Sequence, residues 1–479
     1  MRRRGDLAKV SSRAPGGKYR RYVFFVVASL ALFMWSVDST IVATALATIQ
    51  RDMKANLSWT GWVITAYQLT AMTIMPLVGR ISDEWGRKRV FMGCVTIFTA
   101  GSLFCALASN IYCLIAARFL QALGGGGFMP SAVGIVGDHF AKERARVVGL
   151  FTSIFPLGGL IGPALGGWIL DLAGWRAIFL VNLPIGLLVL VLSYLLLEPD
   201  PKMQRTRLDL AGAGLFALTV LSVMYFMTRL GEDPAAGFSL GTWLVLAAAF
   251  FFLAAFVRRE TRTSTPLLEV ALLKNRAFAI VNVLNLLYGA CVFGLLAFIP
   301  YYAQVAYGLS NLASGSLLTA RAIGMMGMAT VISMFLKRTG YRLPMVAGFL
   351  VLAVSILGLS SFWHFQGVFW GRISDPWWLF VLVAASGVGV GLASPSLNNA
   401  AIELMPDKIA AITGLRGMFR QTGGVIGTSA VALVLSRFPN KVAGFHTVFL
   451  GMATVLALAT PLIRGVPDGR HTATTVAGK

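Results

Sequence analysis

The sequence predicts an all-α, polytopic membrane protein with fourteen transmembrane helices, and three observations carry that prediction. Hydrophobic residues make up 57% of the chain and charged residues only 13%, about half the charged share usual in soluble domains. A water-facing surface could not be covered by so few polar groups. The apolar residues fall into stretches of about 20, the length that crosses the hydrocarbon of a bilayer. The Lys and Arg residues alternate in density between successive connections, as loop charges do in a membrane protein.

Taken in order, the stretches cover residues 22–49, 59–79, 88–108, 111–136, 145–170, 175–197, 207–229, 239–257, 277–303, 312–335, 343–362, 377–398, 409–436 and 443–463. A basic run precedes the first, which is too long for a signal-peptide core and reads as a retained span. With the N-terminus in the cytoplasm, thirty of the 41 Lys and Arg fall in inside segments, seven in outside segments and four within spans. A wrong count would scramble this bias, so both termini are expected inside. The longest inside connection is 258–276 and the longest outside one 363–376. The aromatic residues of the latter, with Trp377 and Trp378, read as interfacial anchors, with a substrate lid as the alternative.

Several function classes drop out. The net charge of +22 is dispersed in short bursts rather than gathered on one surface, which excludes a nucleic-acid binder. The four cysteines, Cys94, Cys105, Cys113 and Cys291, lie in apolar stretches and read as small core residues. The four histidines are scattered without metal spacing. No Walker-type phosphate loop is present, and Gly124–Gly127 lies within a span. No cofactor, metal or catalytic cluster is expected, so the chain does not read as an enzyme.

The loop after the second span runs Gly79-Arg80-Ile81-Ser82-Asp83-Glu84-Trp85-Gly86-Arg87-Lys88-Arg89. Gly79 and Gly86 permit a tight reversal. Asp83 can accept charge-assisted hydrogen bonds or cap a helix N-terminus across an interface. This segment resembles the cytoplasmic loop motif of the major facilitator superfamily. Arg118 through Gly124 resembles that family's fourth-helix motif, and Gly158 through Gly167 its fifth-helix antiporter motif. Asp38-Ser39-Thr40-Ile41-Val42 resembles the first-helix motif of the fourteen-span drug/proton antiporter branch, the QacA/EmrB type, and Trp175 through Pro184 also looks like that branch. The close matches cover about residues 35–185. In the second half, Arg420-Gln421-Thr422-Gly423-Gly424 agrees, whereas the loop-motif counterpart, Lys337 through Arg342, lacks the acid.

The resemblance implies two six-helix bundles plus an inserted helix pair: an N-terminal bundle over 1–200, two linker helices over 201–262 and a C-terminal bundle over 263–479. It implies rocking of the bundles about a site near the bilayer midplane. The implied activity is proton-coupled antiport exporting a drug-like or amphipathic small molecule across a cell membrane of bacterial type, worked by a monomer. Gly79, Asp83, Gly86 and Arg87 would serve the inner gate, with Asp83 latching against the N-terminus of span thirteen.

The residues also speak for themselves. Asp38 is the only acid well inside a span, where it costs about 2.5–3.5 kcal/mol on insertion scales. It can exchange a proton as its surroundings change, or form a permanent ion pair. Arg118 falls at a similar depth and is the expected partner. Gly158, Gly162 and Gly166, with Pro163 beside them, make a smooth helix face for close packing, and the family associates this stretch with a seal against leak. Arg321, Arg416 and Arg420 lie in second-half spans, the last two on one helix face, with Glu403 a candidate partner for Arg416. Tyr67, Gln68, Asn282, Asn285 and Tyr288 complete the polar candidates for a substrate cavity. The buried positive excess leaves an anionic or zwitterionic substrate open, including a lipid or lipid-linked molecule. A membrane sensor or membrane enzyme would need a soluble signalling segment or a catalytic cluster, and neither is present.

Overall fold

The computed structural model describes residues 17–140, 147, 150–151, 154–197, 209–263, 270–360, 375–404 and 409–468. Among these, fourteen helices are long and apolar enough to cross a membrane. They are spans one (Tyr22–Asp52), two (Leu57–Ser82), three (Arg87–Leu107), four (Ile111–Val133), five (Pro156–Ala173), six (Trp175–Leu196), seven (Leu210–Glu232), eight (Leu240–Glu260), nine (Arg276–Leu295), ten (Asn311–Leu336), eleven (Arg342–Leu359), twelve (Trp377–Leu404), thirteen (Leu415–Arg437) and fourteen (Lys441–Gly465). An even number returns the chain to the face it left. That face is called the terminal face below, and the other the opposite face.

Local chemistry sets the span ends. Asn110, Asp209, Asn275, Ser310 and Asn440 each accept a backbone N–H from the first turn of the following helix, which satisfies donors that a helix start leaves orphaned. Gly86 (φ 96°) turns the chain between spans two and three, and Gly340 (φ 71°) does the same between spans ten and eleven. Both backbones sit where a side chain would be strained.

One end departs from expectation, while the expected start of span five near 145 lies outside the described residues. The helix of span nine ends at Leu296, and a separate helix, Ile299–Tyr307, follows. Pro300 lies in the first turn of that helix, where its missing N–H costs nothing, whereas a continuous helix through it would lose a hydrogen bond.

Spans pack in two groups with matching pairings. In the first group, span one lies on five, two on four, three on four and six, and one on six. In the second, nine lies on thirteen, ten on twelve, eleven on twelve and fourteen, and nine on fourteen. Each pairing maps onto its partner by an eight-span shift. The groups meet along two seams, five against ten and two against thirteen, and the same shift exchanges the seams. Spans seven and eight pair with each other, and span seven rests on two and thirteen. At the opposite face Trp62 Nε1 donates to Thr228 Oγ1 at 2.8 Å and Arg437 Nε to the Leu230 carbonyl at 2.6 Å. The inserted pair thus clasps one seam.

Close helix contacts need glycine. A Cβ on Gly423 would lie 2.0 Å from the carbonyl oxygen of Leu286, and one on Gly427 2.2 Å from that of Ala290. These are backbone atoms of the facing helix, so neither neighbour can rotate away. Gly423→Val is expected to destabilise the chain by about 1–3 kcal/mol, the usual range for overpacking, read as a lowered unfolding temperature in detergent. Gly417, where a Cβ would meet nothing within 4 Å, supplies the neutral control Gly417→Ala.

Candidate functional site

Spans one, two, three, four and six converge on Asp38. Its side chain is fully buried, at 0% exposure, and that of Arg118 nearly so, at 1%. Arg118 Nη1 donates to Asp38 Oδ2 at 2.8 Å and to Gln121 Oε1 at 2.6 Å. Its Nε donates to the Val63 carbonyl at 3.0 Å. The second carboxylate oxygen, Oδ1, accepts from Gln121 Nε2 and Asn182 Nδ2, each at 2.9 Å. Both amides also donate to Ser102 Oγ, at 2.7 and 3.3 Å. The Tyr67 ring covers the guanidinium at 3.8 Å and that of Phe179 lies at 5.7 Å.

Such a pair repays its desolvation only when the remaining donors and acceptors are also matched, and here both carboxylate oxygens and the Arg118 Nε and Nη1 are. Every bond to the carboxylate is one that it accepts. A proton added there would turn an acceptor into a donor and remove the charge opposite Arg118. Protonation of this one group is therefore linked to the packing of five spans.

Gln121, Asn182 and Ser102 were not among the sequence candidates. Gln121 was legible in principle, since it lies three residues beyond Arg118 and so on the same helix face. Nothing along the chain marks Ser102. Tyr67 belongs to this cluster as the ring over Arg118, and the neighbouring Gln68 keeps Oε1 buried without a hydrogen bond among the described residues.

The glycine stretch of span five divides its work. A Cβ on Gly158, Gly162 or Gly166 would strike Ser36, Thr40 or Ile41 of span one, at 2.5, 2.3 and 2.4 Å. That face therefore packs within the first group. The seam to span ten is made by its neighbours. Gly167 lies against Asn311, the Pro163 carbonyl against Gly315, and Thr319 Oγ1 donates to the Leu160 carbonyl at 2.9 Å. At the opposite face Asp171 accepts from Asn311 Nδ2 at 2.6 Å and from the Leu312 backbone N–H at 3.3 Å. Asp171 thus satisfies an orphan donor at the start of span ten's helix from the other group, where the helix dipole also favours an anion.

At the terminal face, Gly79 lies against Pro130, with room for a Cβ at 3.5 Å. Gly86 forms the turn and Arg87 opens the next helix, half-buried and engaged. The side chain of Asp83 lies outside the described residues, as does most of the 363–376 connection.

In the second group Asn282 Nδ2 donates to the Phe278 carbonyl at 2.8 Å and Asn285 Nδ2 to that of Val281 at 2.9 Å. Both amides thus bond to their own helix, one turn back. Tyr288 lies in the field of Arg420, Arg321 and Arg416, with Ser394 at its hydroxyl. Arg416 has Arg420 and the neutral Tyr288 phenol as its titratable neighbours, not Glu403. Glu403 instead meets Tyr341 at the terminal face, where burial, aided by the Glu403 hydrogen bond and charge, pushes the Tyr341 phenol up to about 12.

Two six-span groups related by an internal repeat, with a buried ion pair in one of them, define a membrane carrier architecture. The family model for the Major Facilitator Superfamily matches residues 25–428 and 281–478, and the chain belongs to that superfamily. It is 30% identical over 426 residues to the multidrug transporter protein MdtP of Bacillus subtilis, covering 88% of this chain and 76% of that protein. It is 32% identical over 418 residues to a multidrug resistance protein B homolog of Mycobacterium tuberculosis, covering 86% and 75%. Among solved structures, a bacterial homolog of the human lysosomal transporter Spinster, inward-facing and unoccupied, superposes with a TM-score of 0.66 at 15% identity, covering 94% of this chain and 97% of that one. The fold is shared at that distance.

Proposed function

We propose that the chain is a proton-coupled antiporter that exports drug-like or amphipathic small molecules across a bacterial cell membrane and works as a monomer. The terminal face is cytoplasmic in this reading, because thirty of the 41 Lys and Arg then lie inside, as the positive-inside rule requires. The two six-span groups are the moving halves, with the boundaries expected from sequence. The Asp171 and Gly315 contacts then close the outer end of the pathway.

The observation that carries the reading is the Asp38–Arg118 cluster, an ionisable pair buried between five spans. Intramembrane acids mark proton relays and ion pathways. The multidrug names of the relatives support drug-like cargo. Asp83 and Arg87 form the inner latch in the same scheme. A second reading, export of a lipid or lipid-linked molecule, is favoured by the uncompensated arginines of the second group.

The test is substrate flux in proteoliposomes against a chemically varied panel, with and without an imposed pH gradient. A gradient-driven accumulation of at least one panel member, abolished by a protonophore, is expected. Flux indifferent to the gradient would reject proton coupling, and headgroup-selective movement of lipid alone would favour the second reading.

A further inference from the structure

The two groups treat their buried arginines in opposite ways. Arg118 has a carboxylate, an amide, a backbone carbonyl and an aromatic ring around it. Arg321 in span ten is 4% exposed, and its Nε, Nη1 and Nη2 all lack a hydrogen-bond partner among the described residues. Arg416 and Arg420 in span thirteen each keep a buried Nε without a partner. All three act on Tyr288 of span nine. Arg420 also stands over the Phe293 ring at 5.7 Å. Within spans nine to fourteen the only acidic residue is Glu403, which is engaged with Tyr341.

A guanidinium presents five donors in a planar fork and stays charged in proteins. Leaving one buried and unpaired, as Arg321 is, is costly, and a fold that sets two further guanidiniums, each short of a partner at Nε, around the same tyrosine is built for a charge that arrives from outside. Arg420 is half-buried rather than sealed, so the cluster keeps one member within reach of an entering molecule. We propose that Arg321, Arg416 and Arg420, with the Tyr288 hydroxyl, form a subsite for an oxyanion, a carboxylate or phosphate, carried by an amphipathic molecule. The fork geometry suits bidentate capture of either group, while the Tyr288 and Phe293 rings offer apolar contact to the rest of the molecule. The proposal rests on the transporter reading for its purpose, since the bound anion is then cargo. The same oxyanion chemistry belongs to a dissolved organic anion and to a lipid headgroup.

The test uses the purified full chain in phosphatidylcholine nanodiscs and reads binding, not transport. Fluorescein, an amphipathic anion, and rhodamine 6G, a cation on a related ring system, are titrated by fluorescence anisotropy. Fluorescein is expected to bind saturably and to raise the unfolding temperature. Arg321→Gln and Arg420→Gln are each expected to weaken fluorescein at least tenfold while leaving rhodamine 6G no weaker. Arg321→Gln without ligand is expected to unfold at a higher temperature than the unsubstituted chain, because an unpaired buried charge has gone. A purely structural arginine would give the reverse.

Phosphatidylglycerol in the discs identifies the source. Displacement of fluorescein by that lipid assigns the subsite to a headgroup, and indifference assigns it to a dissolved anion. Equal fluorescein affinity in the unsubstituted chain and both variants overturns the proposal, as does a loss of stability in Arg321→Gln with no change in binding. Either failure leaves pH-driven export of neutral or cationic cargo intact, so it is distinguishable from failure of the transporter reading.

Discussion

Asp38→Asn is expected to abolish uphill, pH-driven export while leaving the chain inserted in the membrane. The substitution keeps the shape of the side chain and removes its titration. An amide carbonyl can still accept from Gln121 and Asn182, which now reach Oδ1 at 2.9 Å. The NH2 group cannot replace the oxygen that accepts from Arg118 at 2.8 Å. Arg118 is left as a buried cation without a counterion, so the variant should also lose stability, by about 3–5 kcal/mol if nothing relaxes. Loss of transport in that variant alone would therefore not separate a coupling role from a structural one.

The double variant Asp38→Asn/Arg118→Gln makes the separation. It removes the stranded cation, and its unfolding temperature in detergent should recover most of the loss. Export against a gradient should not recover. A coupling free energy of about 1–3 kcal/mol corresponds to a 5- to 150-fold bias between states, and without a titrating group that bias no longer follows pH. Substrate should then distribute to the passive level in proteoliposomes whether or not a pH gradient is imposed. Gradient-driven accumulation by the double variant at the unsubstituted level would sink the proposed role of Asp38.

The fourteen spans were legible along the chain because a bilayer makes one requirement dominate all others, that about 20 successive residues be apolar. Where a local rule decided instead, the reading slipped. Pro300 divides what hydropathy alone runs together as 277–303. The depths of Asp38 and Arg118 could be counted from span ends at about 1.5 Å per residue, and the structure sets the two groups 2.8 Å apart. Their company could not be counted. Ser102 and Asn182 are ordinary polar residues in apolar helices, and only the packing of span six onto span one, and of span three onto spans four and six, brings them to the carboxylate and its amide partners. The glycines of span five posed the same difficulty. Their four-residue repeat announces a close neighbour, but whether that neighbour is span one or span ten depends on rotation about the helix axis, which spacing does not fix. Asp171 shows the limit most plainly. It stands one residue past the expected end of its span, and its meaning comes from Asn311 and Leu312, 140 residues further along the chain.

Gly315→Val is expected to hold the opposite face open. A Cβ on Gly315 would lie 2.2 Å from the Pro163 carbonyl oxygen and 2.9 Å from its carbon. Ordinary contact needs more than a further ångström, and neither atom can swing aside because both are backbone. Pro163 adds stiffness through its locked φ. Spans five and ten must therefore part, and parting them stretches the Asp171 bonds to Asn311 and Leu312, now 2.6 and 3.3 Å. Overpacking of this kind costs about 1–3 kcal/mol. That cost falls only on states in which the seam is closed, so it shifts the population toward those in which it is open, by about tenfold for each 1.4 kcal/mol. Spin labels at the opposite-face ends of spans five and ten should report a longer mean distance than in the unsubstituted chain. Turnover should fall because one half of the cycle is disfavoured, with the chain still folded and inserted. Asp171→Ala removes the hydrogen bonds without adding bulk, and its labels should move in the same direction by less. An unchanged label distance together with undiminished transport in Gly315→Val would show that this seam does not open and close, and that the moving contact lies elsewhere in the molecule.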